Sequence, residues 1–291
     1  MSSADALRVV GVVPHRERAE ALDLAEHAAR SLAVAGLDVV VPEADCADRP
    51  ALQDLGVDAE QFARGLDLAI SLGGDGTMLR TVDLVADAGI PVLGVNVGQL
   101  GYLTEVEPVD LDQALERVIS GEYRVEERMA LDVQVESNGV AGGRWSALNE
   151  AVIEKARHGR VVRLDVEING GFFTSYVADG VIVATPTGST AYSFSARGPI
   201  VSPRHRCLLL TPVSPHMLFD RSLVLDPDEE LRFTVTDEQA TVLTLDGREV
   251  GELAAGDVVV CTAGPTPIRI VTFGPRDFHQ ILKTKFGLAD R

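Results

Sequence analysis

The chain has 291 residues, of which 46% are hydrophobic and 24% charged, a balance typical of globular proteins and unlike that of disordered ones. Its formal net charge of −18 disfavours nucleic acid and anionic membrane surfaces as partners, since both would repel it. No apolar run approaches the ~20 residues that span a bilayer, so we expect a cytoplasmic protein with no membrane partner. The cysteines and histidines are scattered and indicate neither a disulfide framework nor a zinc site.

Strand-like and helix-like segments alternate over the first ~120 residues. Four β-rich runs are predicted, at residues 8–13, 37–41, 66–72 and 91–95. Helical spacing of apolar residues follows the first of them up to Gly36, continues from the third to about Ala88, and reappears at residues 111–119. This alternation predicts a Rossmann-like parallel sheet with helices on its faces.

Short β-branched runs dominate from about residue 121 to residue 272, and they predict an all-β, sandwich-like domain. The runs are residues 131–135, 161–168, 181–184, 208–210, 231–235, 241–245, 258–261 and 268–271. Three dipeptides suited to two-residue hairpin turns separate several of them, namely Asn138-Gly139, Asn169-Gly170 and Asp246-Gly247. We therefore predict an α/β domain at 1–122, an all-β domain at 123–272, and a helical segment at 273–291 that packs back on the first domain.

A glycine-rich loop, Gly73-Gly74-Asp75-Gly76-Thr77, lies where the third strand passes into a helix. Open α/β folds bind ligands at this end of the sheet. The glycines let the main chain approach a phosphate closely, and the helix start offers free N–H groups and the positive end of its dipole. A strongly acidic protein can bind an anion this way with few cationic side chains.

Asp75 is the candidate catalytic residue within this loop. A carboxylate beside phosphates is repelled unless it coordinates a metal or takes a proton from a hydroxyl nucleophile, and both roles stay open. The alternative explanation is a turn that uses its glycines only for their φ angles. The loop is neither a Walker A loop nor a GxGxxG dinucleotide fingerprint.

Five motifs in order resemble the motif series of NAD kinases, and the resemblance covers nearly the whole chain. They are Gly-Gly-Asp-Gly-Thr at 73–77, Asn-Val-Gly-Gln-Leu-Gly-Tyr-Leu at 96–103, Asn-Glu at 149–150, Asp-Gly at 179–180 and Thr-Pro-Thr-Gly-Ser-Thr-Ala-Tyr-Ser at 185–193. The first is shared with diacylglycerol, sphingosine and phosphofructokinase-type kinases. The last is far more specific.

The resemblance implies an enzyme that transfers a phosphoryl group to the 2′-hydroxyl of the adenosine ribose of NAD, producing NADP. Its implied donor is ATP or polyphosphate with a divalent metal such as Mg²⁺, its site lies in the cleft between the two domains, and its assembly is a homodimer or homotetramer. Asp75 would be the catalytic carboxylate. The implied NAD-binding residues are Asn96, Tyr102, Asn149, Glu150, Asp179, Thr187, Ser189, Thr190, Ala191, Tyr192, Ser195 and Asp246.

The chemistry of these side chains agrees with that assignment. Amide and carboxylate groups together can hydrogen-bond an adenine edge and ribose hydroxyls, as Asn149 and Glu150 would. Asp179 could bind an exocyclic amine or a ribose hydroxyl, while Tyr102 and Tyr192 supply flat faces or hydroxyls. Each motif alone has a structural explanation as strand polarity, turn or core aromatic, so the assignment depends on their joint order.

Two other functions remain open at this stage. A lipid kinase of the diacylglycerol type would share the glycine-rich loop but would need a membrane-docking surface. A dinucleotide sensor would bind NAD without transfer, and Asp75 would then have no purpose. One departure from the family pattern is Arg197, which stands where the family commonly has glycine; it adds a cation near the pyrophosphate or a neighbouring subunit, or is a solvated arginine without a role.

Overall fold

The computed structural model describes residues 7–46, 49–98, 101–137, 139–157, 159–275 and 277–288. The chain forms two compact units, one from the residues up to Glu127 together with those from Ile268 onward, and one from Arg128–Pro267. Within the described ranges, no helix is both long enough and apolar enough to cross a membrane.

The first unit begins with alternating strands and helices, as the sequence predicts. Its strands in this part of the chain are β1 (Val9–Pro14), β2 (Asp38–Pro42), β3 (Gly56–Val57), β4 (Leu68–Gly73), β5 (Val92–Asn96) and β6 (Arg124–Arg128). Its helices are α1 (Ala19–Val34), α2 (Pro50–Gln53), α3 (Ala59–Phe62), α4 (Asp75–Val85) and α5 (Leu111–Ile119). Strands β1 to β5 pair in parallel in the order β3-β2-β1-β4-β5.

Two helices cover one face of this sheet because its alternate residues are large and apolar. Helix α1 buries a stripe of small residues that includes Ala21, Ala25 and Ala28, and α5 packs beside it. Their partners on the strands form one core that includes Val10, Val12, Leu68, Ile70, Leu72, Leu93 and Val95. This burial provides most of the driving force for the unit.

The opposite face of the sheet has small residues, which let α3 and α4 approach closely. A Cβ placed on Gly11 would lie 2.5 Å from the Phe62 ring, and one on Gly94 would lie 3.3 Å from the Met78 sulfur. The first distance leaves no room for a side chain at position 11, and the second leaves almost none at position 94. The small residues therefore fix the position of α4, which carries the glycine-rich loop.

The second unit consists of two six-stranded antiparallel sheets. Its strands are β7 (Leu131–Ser137), β8 (Val140–Ala147), β9 (Glu150–Lys155), β10 (Val162–Ile168), β11 (Gly171–Ala178), β12 (Gly180–Ala184), β13 (Leu208–Val213), β14 (Leu223–Leu225), β15 (Leu231–Val235), β16 (Thr241–Leu245), β17 (Arg248–Leu253) and β18 (Val258–Ala263), and its one-turn helix is α6 (Tyr192–Ser195). The orders are β11-β10-β15-β18-β7-β8 and β14-β13-β12-β9-β16-β17.

Residues from both sheets form one buried core, which makes this unit a sandwich as predicted. Leu164 and Phe233 of one sheet share the core with Ile153, Val183 and Leu243 of the other. Two of the predicted hairpin turns are present: Asn169-Gly170 joins β10 to β11 and Asp246-Gly247 joins β16 to β17, all four residues having positive φ. Asn138 of the third lies outside the described residues.

The chain returns to the first unit at its end, through β19 (Ile268–Thr272) and α7 (Phe278–Phe286). Ile270 pairs in parallel with Val92, so the full sheet order is β3-β2-β1-β4-β5-β19-β6. The sequence analysis placed this strand in the all-β domain. Its apolar, β-branched residues suit a buried strand in either kind of sheet, so composition could not assign it.

Candidate active site

Four neighbouring parallel strands end at the same edge of the first sheet, and their following loops carry the site. The strands β1, β2, β4 and β5 end at Pro14, Pro42, Gly73 and Asn96. After β1 the chain adds β2 and β3 on one side of β1, and it then returns to form β4 on the other side. The gap between β1 and β4 is therefore the topological switch point of the sheet. A cleft of about 530 Å³ opens there, lined by residues 15–18, 74–77 and Arg80.

The glycine-rich loop forms one wall of this cleft. Gly73 ends β4, Gly74 is the N-cap of α4, and Gly74, Asp75, Gly76 and Thr77 all line the cleft. Gly74 and Gly76 have open space where a Cβ would lie, and none of the three glycines has a positive φ. The alternative explanation, a turn that needs glycine for its φ angles, is therefore wrong: Gly74 and Gly76 leave bare backbone facing the cleft.

Two backbone N–H groups hold the carboxylate of Asp75. Tyr102 N donates to Oδ2 at 2.8 Å and Leu103 N donates to Oδ1 at 3.0 Å. A Cβ on Gly101 would lie 2.2 Å from Oδ1, so glycine at position 101 allows this close approach. The carboxylate is thus oriented by the main chain while it lines the cleft.

Asn96 and Tyr102, both predicted NAD-binding residues, lie near this loop in the first unit. Asn96 pairs with Gly73 across the sheet and is buried, with its Nδ2 donating to Glu107 at 3.1 Å and its Oδ1 without a partner among the described residues. The ring of Tyr102 lies under Lys285 of α7, with 4.5 Å between the ammonium and the ring centroid. Burial, and then the charge of Asp75, raise the pKa of the Tyr102 hydroxyl.

The other wall of the cleft is basic, which the sequence analysis did not predict. His15, Arg16 and Arg18 follow β1 directly, and Arg80 lies on the first turns of α4. The sequence did contain a signal for this wall. His15, Arg16 and Arg18 directly follow β1, and residues that follow a parallel strand lie at the same sheet edge as the glycine-rich loop after β4.

A second cluster of predicted site residues lies in the second unit. Asp246, in its positive-φ hairpin turn, accepts three backbone hydrogen bonds, from the N–H groups of Leu148 (2.7 Å), Asn149 (2.8 Å) and Glu150 (3.0 Å). This carboxylate therefore fixes the main chain of Asn149 and Glu150. The sequence predicted Asp246 as an NAD-binding residue and did not predict this supporting role.

The motif at residues 185–193 packs against Asn149 and Glu150. Thr185 N donates to Asn149 O at 2.8 Å, and a Cβ on Gly188 would lie 2.1 Å from that oxygen. The Ser189 hydroxyl both accepts from Val201 N and donates to Val201 O, each at 3.0 Å. Ser189 is thus engaged in holding the loop. Of the other predicted residues, Thr187 is buried, Thr190 and Ala191 are half-buried, and Tyr192 and Ser195 are exposed.

Glu150 is a buried carboxyl group with a raised pKa. It is 6% exposed, and burial, followed by the charge of Asp246, raises its pKa to about 8, against a weaker opposing hydrogen bond from the Tyr192 backbone. Its Oε2 has no hydrogen-bond partner within the described part of the chain. At neutral pH the group is therefore mostly a protonated acid, which can donate as well as accept.

Acidic side chains surround the hydroxyl of Tyr192. Burial is the largest cause of its raised pKa, and the charges of Glu154, Asp179 and Glu150 add to it. Asp179 pairs with Lys155. The structure thus brings Asn149, Glu150, Asp179, Tyr192 and Asp246 together, and it adds Glu154 and Lys155, which the sequence analysis did not identify.

Arg197 has φ +67°, a left-handed conformation that glycine adopts more easily than arginine. Its N–H donates to Phe194 O at 3.0 Å and closes the turn after α6. Arginine thus occupies a glycine-like conformation here at some cost in strain.

Comparison with known proteins agrees with this geometry. Residues 10–123 match the model of the ATP-NAD kinase N-terminal domain, and residues 148–273 match that of the ATP-NAD kinase C-terminal domain. An NAD kinase of Heliobacterium modesticaldum is 42% identical over 282 residues, covering 95% of this chain and 97% of the relative. NAD kinase 2 of Streptomyces avermitilis is 41% identical over 286 residues, covering 97% and 95%.

The fold is also that of solved kinases. A yeast NADH kinase, crystallised with NADH, superposes with a TM-score of 0.88 at 24% identity, covering 99% of this chain and 89% of the yeast chain. The domain models and the relatives define a phosphotransferase that acts on an alcohol group. The chain belongs to the NAD kinase family, which both domain models and the relatives show.

Proposed function

We propose that this chain transfers a phosphoryl group from ATP or polyphosphate to the 2′-hydroxyl of the adenosine ribose of NAD, producing NADP. The observation that carries the proposal is the carboxylate of Asp75, held by the Tyr102 and Leu103 N–H groups at the head of a bare glycine loop. The family of the chain and the names of its relatives support NAD as the acceptor.

Asp75 accepts the proton of the attacking hydroxyl in this mechanism. Phosphoryl transfer has a loose transition state, so the carboxylate mainly orients the nucleophile and takes its proton late. The two N–H groups fix its orientation in advance, which lowers the cost of reaching the reactive geometry. The donor phosphates lie along the backbone of Gly74 and Gly76, where no side chain obstructs them.

The second cluster binds the dinucleotide. Asn149 and a protonated Glu150 supply donors and acceptors for ribose and base, with Asp179 and Tyr192 beside them. Asp246 and Ser189 serve this site indirectly, because their side chains hold main-chain groups. Asn96, Tyr102, Thr187, Thr190, Ala191 and Ser195 complete the proposed set.

The donor would bring Mg²⁺ with its phosphates. The described residues contain no group of three or more His, Cys, Asp or Glu side chains placed to hold a metal. Mg²⁺ usually keeps several waters and binds one or two carboxylates together with substrate phosphates. Asp75 would be a carboxylate able to hold that ion, which would neutralise charge on the donor.

The decisive test is an assay of NADP formation by Asp75→Asn with NAD, Mg²⁺ and either ATP or polyphosphate. We expect kcat to fall by about 10²–10⁴-fold while NAD still binds, because the amide keeps the shape and loses the base. Asp87→Asn, which lies outside the cleft-lining residues, is the control and should retain normal turnover. Near-normal turnover of Asp75→Asn would contradict the mechanism, and NAD binding without NADP formation by the wild type would favour the sensor.

A homodimer or homotetramer is proposed as well. An aromatic patch, formed by the half-exposed Phe173 and Phe219, lies on the second unit, and their sequence neighbours Phe172 and Leu218 are exposed as well. The Phe173 and Phe219 rings are 5.8 Å apart, edge to face. Clustered exposed aromatics of this kind mark protein interfaces, and a second copy of this chain is the proposed partner.

We also propose a cytoplasmic location, where NAD and ATP are available. All three cysteines are free and buried, which suits a reducing compartment.

Arg197 is proposed to add a cation that favours the pyrophosphate or the neighbouring subunit. Its side chain is exposed and its backbone is strained. Backbone strain of this kind persists at functional positions, which supports a binding role for the side chain. Arg197→Gly should raise the Michaelis constant for NAD or for the donor; unchanged constants would contradict this role.

A further inference from the structure

A buried carboxylate, Asp45, lies behind the basic wall of the cleft. It ends the 3-10 turn Glu43–Asp45, which directly follows β2, and its side chain is fully buried. Arg16 Nε donates to Asp45 Oδ1 at 2.6 Å, and Arg80 Nη1 donates to both carboxylate oxygens at 2.7 and 2.8 Å. One acid from the turn after β2 thus orders two arginines of the cleft.

The two arginines are held to different degrees. Arg80 also donates from Nη2 to Pro14 O at 2.7 Å, so its head group is fixed on two sides. Arg16 donates to Asp45 through Nε, and within the described ranges its two terminal amino groups contact no acceptor; its side chain is 53% exposed. A guanidinium anchored by Nε presents a planar pair of donors, the geometry that binds phosphate oxygens in a bidentate way.

The charge of this wall contrasts with the rest of the protein. Arg16, Arg18 and Arg80 line the cleft together with only two acids, Glu17 and Asp75, in a chain whose net charge is −18. With Asp45 behind them, these charges balance, so the cleft is locally neutral in an otherwise acidic protein and an anion meets less repulsion there. The glycine loop on the other wall offers backbone N–H groups and no cation. A chain of phosphates would therefore be bound by backbone groups on one wall and by arginine side chains on the other.

We propose that Arg16 binds the terminal part of the donor's polyphosphate chain, and that Asp45 is a positioning residue that acts through Arg16 with Arg80 as its fixed brace. This rests on the proposed function and extends it, because it assigns the donor side of the cleft. Asp45 itself is buried behind the arginines and does not touch the donor. Holding the guanidinium in place lowers the entropy lost on binding.

The test measures binding of sodium tripolyphosphate by calorimetry without metal, and Michaelis constants for ATP and NAD with Mg²⁺. Arg16→Gln and Asp45→Asn should each weaken tripolyphosphate binding and raise the constant for ATP by about tenfold, the loss expected for one charge-assisted contact. The constant for NAD should change less than about twofold. Arg16→Lys keeps the charge but loses the fork, so it should recover only part of the loss.

The double variant Asp45→Asn/Arg16→Gln shows whether Asp45 acts through Arg16. It should bind no more weakly than Arg16→Gln alone, because the acid has no further effect once its arginine is gone. Asp67→Asn is the matched control: this carboxylate holds the N–H groups of Arg8 and Val9, lies away from the cleft, and should leave tripolyphosphate binding unchanged.

The outcomes distinguish failure of the Arg16–Asp45 role from failure of the proposed function. A wild type that forms NADP, with an Arg16→Gln variant whose tripolyphosphate binding and ATP constant are normal, contradicts the inference alone. Fully additive losses in the double variant contradict the positioning role of Asp45. A wild type that binds tripolyphosphate but forms no NADP contradicts the proposed function alone. Should Asp45→Asn fail to fold, Arg16→Gln and Arg16→Lys still decide whether Arg16 binds the donor.

Discussion

At the scale of single residues, Glu150 shows how burial can change the chemistry of a carboxyl group. Burial and the neighbouring charge of Asp246 raise its pKa to about 8, while in the unfolded chain it titrates near 4.5. Between these two values the unfolded state loses a proton that the folded state keeps. The stabilising contribution of this group is therefore complete below pH 4.5 and is lost as the pH rises through 8.

Glu150→Gln should remove this pH dependence. We expect the wild type to lose up to about 1.4 kcal/mol of unfolding free energy per pH unit from this group between pH 5 and pH 8, and the amide variant to lose none of it. Urea unfolding at both pH values measures the difference. Glu154→Gln, a half-buried neighbour on β9, should keep the wild-type slope, and equal slopes for wild type and Glu150→Gln would contradict the prediction.

The roles of single residues could be predicted only where the motif itself carries the chemistry. Asp75 is identifiable because its glycines surround it in sequence. Asp246 is different, since the three N–H groups that it holds belong to residues 96 to 98 positions away. Arg16, Arg80 and Asp45 likewise come from three separate segments, so only the fold brings them to one wall of the cleft.

At the scale of elements, the glycines of the loop serve different purposes. Gly73 makes room for Thr77, because a Cβ at position 73 would lie 2.2 Å from Thr77 Oγ1. Gly76 has open space around it and faces the cleft. The first glycine is therefore needed for packing of α4 on β4, and the last for access of the donor.

Alanine at the two positions should separate these purposes. Gly73→Ala should cost about 1–3 kcal/mol of unfolding free energy through overpacking. Gly76→Ala should gain about 0.5 kcal/mol through helix propensity, yet raise the Michaelis constant for ATP because its methyl group occupies the open side of the loop. Denaturant unfolding and steady-state kinetics of both variants measure this. A destabilised Gly76→Ala with normal kinetics would be the contrary result.

The sequence predicted the interior strands well and the edge strands poorly. The six outermost strands of the three sheets, β3, β6, β8, β11, β14 and β17, all escaped prediction. Edge strands carry polar and exposed residues, as β6 and β17 do, because one side faces water and charged residues there prevent pairing with other chains. Among the interior strands that the structure describes, β9 also escaped prediction.

At the scale of the whole molecule, the aromatic patch predicts self-association. Phe173→Ser should reduce the apparent mass in size-exclusion chromatography with light scattering, because a polar side chain disrupts an apolar contact between copies. Val109→Asp, which replaces an isolated exposed valine of the first unit, is the control and should leave the mass unchanged. An oligomer that persists in Phe173→Ser would place the interface elsewhere.

The return of β19 to the first sheet sets an order of events during synthesis. The strand that lies beside β5 is residues 268–272, so a ribosome must translate the entire sandwich before the first sheet can close. Until then the newborn α/β half exposes an open backbone edge beside the glycine loop, a surface prone to mispairing. Chaperone protection of this half should therefore be needed until β19 emerges, and a premature stop codon just before codon 268 should yield aggregates even though every glycine-loop residue has been made.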